Sequence, residues 1–261
     1  MPSSSVHVDG VELRVHRTGR TEPTVVLVHG IADSGLCWAR LAEALEADYD
    51  VVMFDARGHG ESARPGSYSF GEHVRDLVGV LETLDVQPAV LVGHSMGGAH
   101  VAAVAAEHPA LVRGLVLVDP HWPLNPAGYD VAGWQVAMAA NKAMSLDELL
   151  AIGRRENPSW VEQELDPWAR AKQAVEPAVA TWLNSTHEID GWREIAQQIR
   201  CLTLLFTGDA SDVTVGAEGA AQAQGLCPSL AVAHIPAAGH SIHRDQYGSF
   251  LAALSSFLRH V

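Results

Sequence analysis

Ala89-Val90-Leu91-Val92-Gly93-His94-Ser95-Met96-Gly97-Gly98 carries the reading of this chain. A short apolar run ends in glycine, a serine stands between two G-x positions, and a helix-compatible stretch, Ala99 to Glu107, follows at once. This is G-x-S-x-G in the order strand, sharp turn, helix. A side chain at position 93 or 97 would crowd the strand and helix that close around the turn. Such a turn is strained, and it holds the Ser95 hydroxyl off the sheet at the positive end of the helix, where negative charge developing on a substrate oxygen is favoured. Ser95 is therefore the candidate nucleophile.

A serine hydroxyl needs a histidine to take its proton and a carboxylate to orient that histidine. The histidine is expected late, in Ala238-Gly239-His240-Ser241, after the apolar run Leu230 to Ile235. Upstream, Val25-Val26-Leu27-Val28 runs into His29-Gly30-Ile31, a strand ending in a turn whose N–H groups can face an oxyanion. Val51-Val52-Met53-Phe54 then leads into Asp55-Ala56-Arg57-Gly58-His59-Gly60-Glu61-Ser62. Each motif lies at the C-terminal end of a strand-like run.

With these four motifs in this order, the chain resembles the α/β-hydrolase superfamily over about residues 5–260. The resemblance implies a doubly wound, mostly parallel eight-stranded sheet with a helical cap inserted after the sixth strand. It divides the chain into core residues 1–119, cap residues 120–199 and core residues 200–261. By the same rule the oxyanion donors are the N–H groups of Ile31 and Met96, and Asp55, Arg57 and His59 brace the sheet edge. The acid stays open between positions. The commoner family pattern places it after the seventh strand, where this chain reads Thr207-Gly208-Asp209-Ala210-Ser211-Asp212-Val213, with Ser211 at the expected acid position and Asp212 one residue late. A lactonase-like pattern places it after the sixth strand, where Leu115-Val116-Leu117-Val118 meets Asp119-Pro120. Asp119 is preferred, with Asp212 the alternative and Asp209 behind both.

The rest of the chain reads consistently with that layout. Val6 to Val8 and Val11 to Val15 flank Asp9-Gly10, a hairpin signal. Strands are expected at 24–28, 51–54, 89–92, 115–118, 202–206 and 230–235, mostly continuous apolar runs suited to a sheet covered on both faces. Phe70, Val74, Leu77, Leu81 and Leu84 recur at helical spacing after Ser69, an N-cap residue. Between 120 and 199 no strand pattern occurs, prolines at 123, 126, 158, 167 and 177 interrupt, and six of the seven tryptophans gather: Trp122, Trp134, Trp160, Trp168, Trp182 and Trp192. Some of these are core residues of the cap, and others are expected to line a pocket for a bulky apolar or aromatic group. Gly30, His121, Trp122 and Trp182 are the expected substrate contacts.

Composition excludes other classes. The chain has 261 residues, 48% of them apolar, enough for a large core. Its net charge of −14 argues against nucleic acid and anionic membrane partners. Cys37, Cys201 and Cys227 form an odd set without paired spacing, as expected of reduced thiols in a cytoplasmic protein. Met1-Pro2-Ser3-Ser4-Ser5 has no basic or apolar signal-peptide pattern. No cofactor and no metal are expected, since the H-x-x-H at His240 and His243 lacks a completing ligand. The expected activity is a serine hydrolase cleaving a small-molecule ester or lactone. Carbon–carbon bond hydrolysis, perhydrolysis with the same triad, or a receptor-like relative are the alternatives.

Overall fold

The computed structural model describes residues 1–19, 23–122, 129–185 and 191–261. Strands β1 (Ser3–Val8) and β2 (Val11–Arg17) form the opening hairpin, turned at Asp9 and Gly10 with φ of 48° and 81°. Two successive positive φ values match the right-handed twist of the flanking strands. Six more strands follow: β3 (Thr24–Val28), β4 (Asp50–Phe54), β5 (Ala89–His94), β6 (Val112–Val118), β7 (Leu202–Thr207) and β8 (Leu230–His234). They make one eight-stranded sheet in the order β1-β2-β4-β3-β5-β6-β7-β8. β2 is antiparallel to both of its neighbours, and every other pairing is parallel. This is the mostly parallel eight-stranded sheet that the motifs led one to expect.

The period of two along each strand explains why both faces are covered. Val25, Leu27, Val51, Met53, Val90, Val92 and Phe206 pack on one side against Trp38, Leu41 and Leu45, and against Phe250 and Leu254. The first three partners belong to or precede α1 (Ala39–Leu45), and the last two to a C-terminal helix, Tyr247–Leu258. Val26, Val28, Val52, Leu91, Leu115 and Leu117 face the other way, onto α2 (Phe70–Leu84) and α3 (Met96–Glu107). The spacing read for α2 holds: Phe70, Val74, Leu77 and Leu81 are buried, and Ser69 and Glu72 exchange side-chain-to-backbone hydrogen bonds in a capping box. α3 starts at Met96, three residues before the helix-compatible stretch, because the chain enters it directly from the turn at Ser95.

Between β6 and β7 the described residues contain helices and no strand. These are α4 (Val131–Ala143), α5 (Leu146–Glu156), α6 (Glu162–Ala174), a 3₁₀ run (Pro177–Ser185) and α7 (Trp192–Gln198). α4, α5, α6 and the 3₁₀ run pack on one another, whereas α7 packs on α3 and on α8 (Gly216–Leu226), in the layer that covers the sheet. Pro123 and Pro126 lie outside the described residues. Pro158 separates α5 from α6 and Pro177 opens the 3₁₀ run, but Pro167 does not interrupt: it sits inside α6. Its missing N–H and ring clash cost about 3 kcal/mol in an isolated helix. Burial of Leu165, Ala169 and Ala171 on the neighbouring helices holds α6 through it. A short helix, α9 (Ile242–Asp245), precedes the C-terminal helix α10 (Tyr247–Leu258).

Seven histidines are buried among the described residues: His16, His29, His59, His73, His94, His100 and His243. Burial pushes the pKa of His59, His73, His94, His100, His121 and His243 down, to about 4 for His73 and His121. These imidazoles are therefore neutral when folded and free to protonate near ~6.5 when unfolded. Between pH ~6.5 and about 4 the unfolded chain binds more protons, so stability is fully present above that window and is lost as pH falls through it. The urea midpoint at pH 5 should lie below that at pH 7.5 by about 1 M or more, with an unchanged slope. A midpoint independent of pH over this range would contradict the account.

Candidate active site

The turn after β5 behaves as its sequence demands. Ser95 has φ 50° and ψ −116°, a strained conformation for a residue with a side chain. A Cβ on Gly93 would run into the carbonyl of Gly97, and one on Gly97 into the carbonyls of Val28 and His29. Strand and helix can close this tightly only because both positions are glycine. The turn is pinned to the end of β6, with the Ser95 N–H donating to Val118 O (3.1 Å) and the His121 N–H donating to Ser95 O (3.0 Å).

At the end of β6, Asp119 is completely buried and also takes a positive φ, 39°. Its Oδ2 lies 2.6 Å from His240 Nδ1. The carboxylate is saturated by two backbone donors, Thr214 N–H to Oδ2 (2.8 Å) and Val215 N–H to Oδ1 (3.0 Å). Those donors come from the loop after β7, where the commoner family pattern would carry the acid itself. Asp212 lies beside the same histidine, but its Oδ2 accepts from the His240 backbone N–H (3.3 Å), and the ring is not its partner. Asp209 is turned to the Ala237 N–H (2.8 Å). With Nδ1 of His240 donating to Asp119, Nε2 is left as an acceptor.

Ser95 and His240 border one cleft of about 380 Å³, together with Gly30, Ile31, His121, Asp212 and Thr214. Its far wall is aromatic: Tyr129, Trp134, Trp160, Trp168 and Trp182. Trp122 is absent from that wall, which corrects the expected substrate contact. It is 1% exposed and stacked on Trp192 at 5.0 Å, and the indole pair fills the core under α7. Trp182 reaches the cleft while its Nε1–H donates to His100 Nε2 (2.9 Å). His121 packs edge-on against Trp182 at 5.2 Å, and burial first, then the nearby His240, lowers its pKa to about 4. Met96 is the first residue of α3, directly after Ser95, and Ile31 lines the cleft.

Two features had no local pattern in the sequence. His94, next to the nucleophile, faces the histidine loop: its Nε2 lies 3.0 Å from the His240 backbone oxygen, which accepts, so the turn holds that loop. The second feature is a buried ionic network on the cleft wall. Asp33 accepts from Arg244 at 2.9 Å, with Lys172 Nζ 3.8 Å away, and Arg244 also lies 3.6 Å from Glu164. Burial would raise the Asp33 pKa, but Arg244 and Lys172 together outweigh it and hold the carboxyl well below its usual range. The network joins the loop after β3, helix α9 and α6. Its members are scattered over more than two hundred positions, so no spacing rule finds them. Among the described residues, no His, Cys, Asp and Glu side chains gather in a metal-ligating group, and no helix is long and apolar enough to cross a membrane.

A profile described as alpha/beta hydrolase fold matches residues 23–246. The chain belongs to this family. Among its relatives, N-formylmaleamate deformylase of Pseudomonas putida is 28% identical, over 98% of this chain and 96% of that protein. The sn-1-specific diacylglycerol lipase of Mus musculus is also 28% identical, over 91% of this chain and 81% of that protein. The crystal structure of E-2-(acetamidomethylene)succinate hydrolase superposes with a TM-score of 0.83 at 22% identity, covering 99% of both chains, a likeness of fold. The family is a hydrolase family, and three of the four motifs place residues on the cleft just described: Gly30 and Ile31, Ser95, and His240.

Proposed function

We propose that the chain is a serine hydrolase that cleaves a carboxylic ester or lactone of a bulky apolar or aromatic small molecule. Ser95 Oγ attacks the carbonyl carbon as its proton passes to His240 Nε2. The imidazolium so formed is stabilised by Asp119, and the tetrahedral oxyanion by the N–H groups of Ile31 and Met96. His240 returns the proton to the departing alkoxide, leaving an acyl group on Ser95. Water, activated by the same histidine, then releases the acid. The observation that carries this reading is the 2.6 Å contact of Asp119 with His240 Nδ1, in a cleft that also holds Ser95. The helices between Val131 and Ser185 act in this reading as a cap, with Trp134, Trp160, Trp168 and Trp182 on the pocket wall.

A panel of aryl esters, acyl lactones and ring-cleavage dienones, run against Ser95→Ala, tests the reaction class. Serine-dependent turnover of esters or lactones supports the proposal. Turnover of the dienones alone would move it to carbon–carbon hydrolysis, and no turnover with tight ligand binding to a receptor-like role. The pocket has its own test in Trp168→Ala. Trp168 is half-buried on the cleft wall, with Lys172 Nζ 5.4 Å from its ring. Losing that apolar surface should raise KM for bulky aryl esters about tenfold, on the order of 1–2 kcal/mol of contact, and change KM for acetyl esters little. Equal effects on both would assign the indole to packing alone.

A further inference from the structure

The His59 side chain, in the loop after β4, lies outside the chemistry described above, yet it touches the segment that supplies the oxyanion donor. That segment, Gly30-Ile31-Ala32-Asp33, leaves β3 along the cleft rim. The Gly30 carbonyl accepts from the Asp33 N–H (3.2 Å) and lies 2.8 Å from His29 Nδ1. Because His29 Nε2 accepts from the Ala56 N–H (3.0 Å), Nδ1 carries the proton and donates to Gly30 O. N–H and C=O point in opposite directions in a trans peptide, so fixing the Gly30 carbonyl from behind aims the Ile31 N–H the other way.

The next residue needs its own restraint. Ala32 has φ 61°, the left-handed region that a residue with a Cβ rarely adopts. Its N–H donates to His59 Nε2 at 3.2 Å, and Lys172 Nζ donates to its carbonyl at 3.1 Å. His59 is wholly buried, its Nδ1 lies 2.9 Å from the Arg57 carbonyl, which accepts, and its ring meets that of His29 edge-on at 4.9 Å. The proton is thus on Nδ1, and a lone pair on Nε2 faces Ala32. Arg57 is itself clamped to Asp76 of α2 by two hydrogen bonds, 2.7 and 2.8 Å. A continuous run of contacts leads from α2 through Arg57 and His59 to Ala32. Without the lone pair, the Ala32 N–H becomes a buried donor with no acceptor, on a residue already in an unfavourable conformation. The segment would relax and carry the Ile31 N–H with it.

We infer that His59 is a positioning residue for the oxyanion hole, acting through the Ala32 N–H to hold the Ile31 N–H at the cleft. This rests on the serine-hydrolase reading and extends it. The test compares His59→Leu, which removes the acceptor at similar volume, with His59→Gln, whose Oε1 can stand where Nε2 does. His59→Leu should lower kcat about 10- to 100-fold with KM within about threefold, as expected for a displaced catalytic group. His59→Gln should recover kcat to within about fivefold of wild type. Affinity for an aryl trifluoromethyl ketone, whose carbonyl carbon takes up Ser95 Oγ to give a hemiketal oxyanion that needs the same donor, should fall in parallel with kcat/KM. Amide exchange gives a readout independent of turnover: the Ala32 amide is protected in wild type and in His59→Gln, and exchanges at least about tenfold faster in His59→Leu. Wild-type exchange alone is decisive should the leucine variant fail to fold, since an Ala32 amide exchanging like that of an open loop overturns the inference. So does a folded His59→Leu with kcat within twofold of wild type, or a folded His59→Gln as impaired as the leucine variant. Ser95→Ala is measured alongside; retention of activity there would remove the serine-hydrolase reading itself, while the exchange result still reports on His59.

Discussion

Ser95→Ala is expected to lower hydrolysis by ~10⁴-fold or more while the protein stays folded. Alanine keeps the Cβ that the turn already accommodates, and among the described residues Ser95 Oγ makes no hydrogen bond on which the fold depends. The positive φ of 50° is no worse for alanine than for serine. The thermal midpoint should therefore remain within about 2–4 °C of wild type, the shift that ~1 kcal/mol produces in a chain of this size. A variant keeping more than a tenth of wild-type activity would end the serine-hydrolase proposal.

The second large effect is expected at the acid. Asp119→Asn should cost as much as ~10⁴ in kcat, as carboxylate removal does in other triads. The reason lies in the donors around it. Oδ1 accepts from Val215 N–H, and Oδ2 from Thr214 N–H and His240 Nδ1. An asparagine has only one oxygen to offer. With that oxygen toward Val215, its NH₂ faces the imidazole and forces the proton to Nε2, where it blocks the base. With the oxygen toward His240, the NH₂ meets the Val215 N–H head-on. Asp212→Asn should stay within about tenfold of wild type, because its carboxylate meets only the His240 backbone N–H. The reverse ranking would move the acid to the loop after β7.

What could be read in advance follows from how local each feature is. The turn at Ser95 was legible because strand, glycines and helix are contiguous, and the steric reason for Gly93 and Gly97 is a property of that short stretch. The sheet was legible because its strands are apolar runs covered on both sides. The acid was not settled, since Asp119 and Asp212 both stand near the histidine loop. The decision rests on how residues 208–215 fold, and they fold so that Thr214 and Val215 present amides to Asp119. Trp122 was expected at the substrate and Trp134 was not singled out, yet Trp122 stacks on Trp192 in the core and Trp134 is 42% exposed at the cleft. The Asp33, Lys172, Arg244 and Glu164 network joins distant segments and leaves no periodic trace. His59 belonged to a recognisable motif, but its contact with Ala32 exists only once β3 and β4 lie side by side.

The central claim is that Ser95, activated by His240 and Asp119, is the nucleophile. A fluorophosphonate probe followed by mass spectrometry addresses it most directly. The account predicts one covalent adduct per chain, located on Ser95, absent from Ser95→Ala and formed far more slowly in His240→Ala and Asp119→Asn. Hydrolysis should disappear in proportion to labelling. An adduct on a different residue, or undiminished hydrolysis by fully labelled protein, would contradict it.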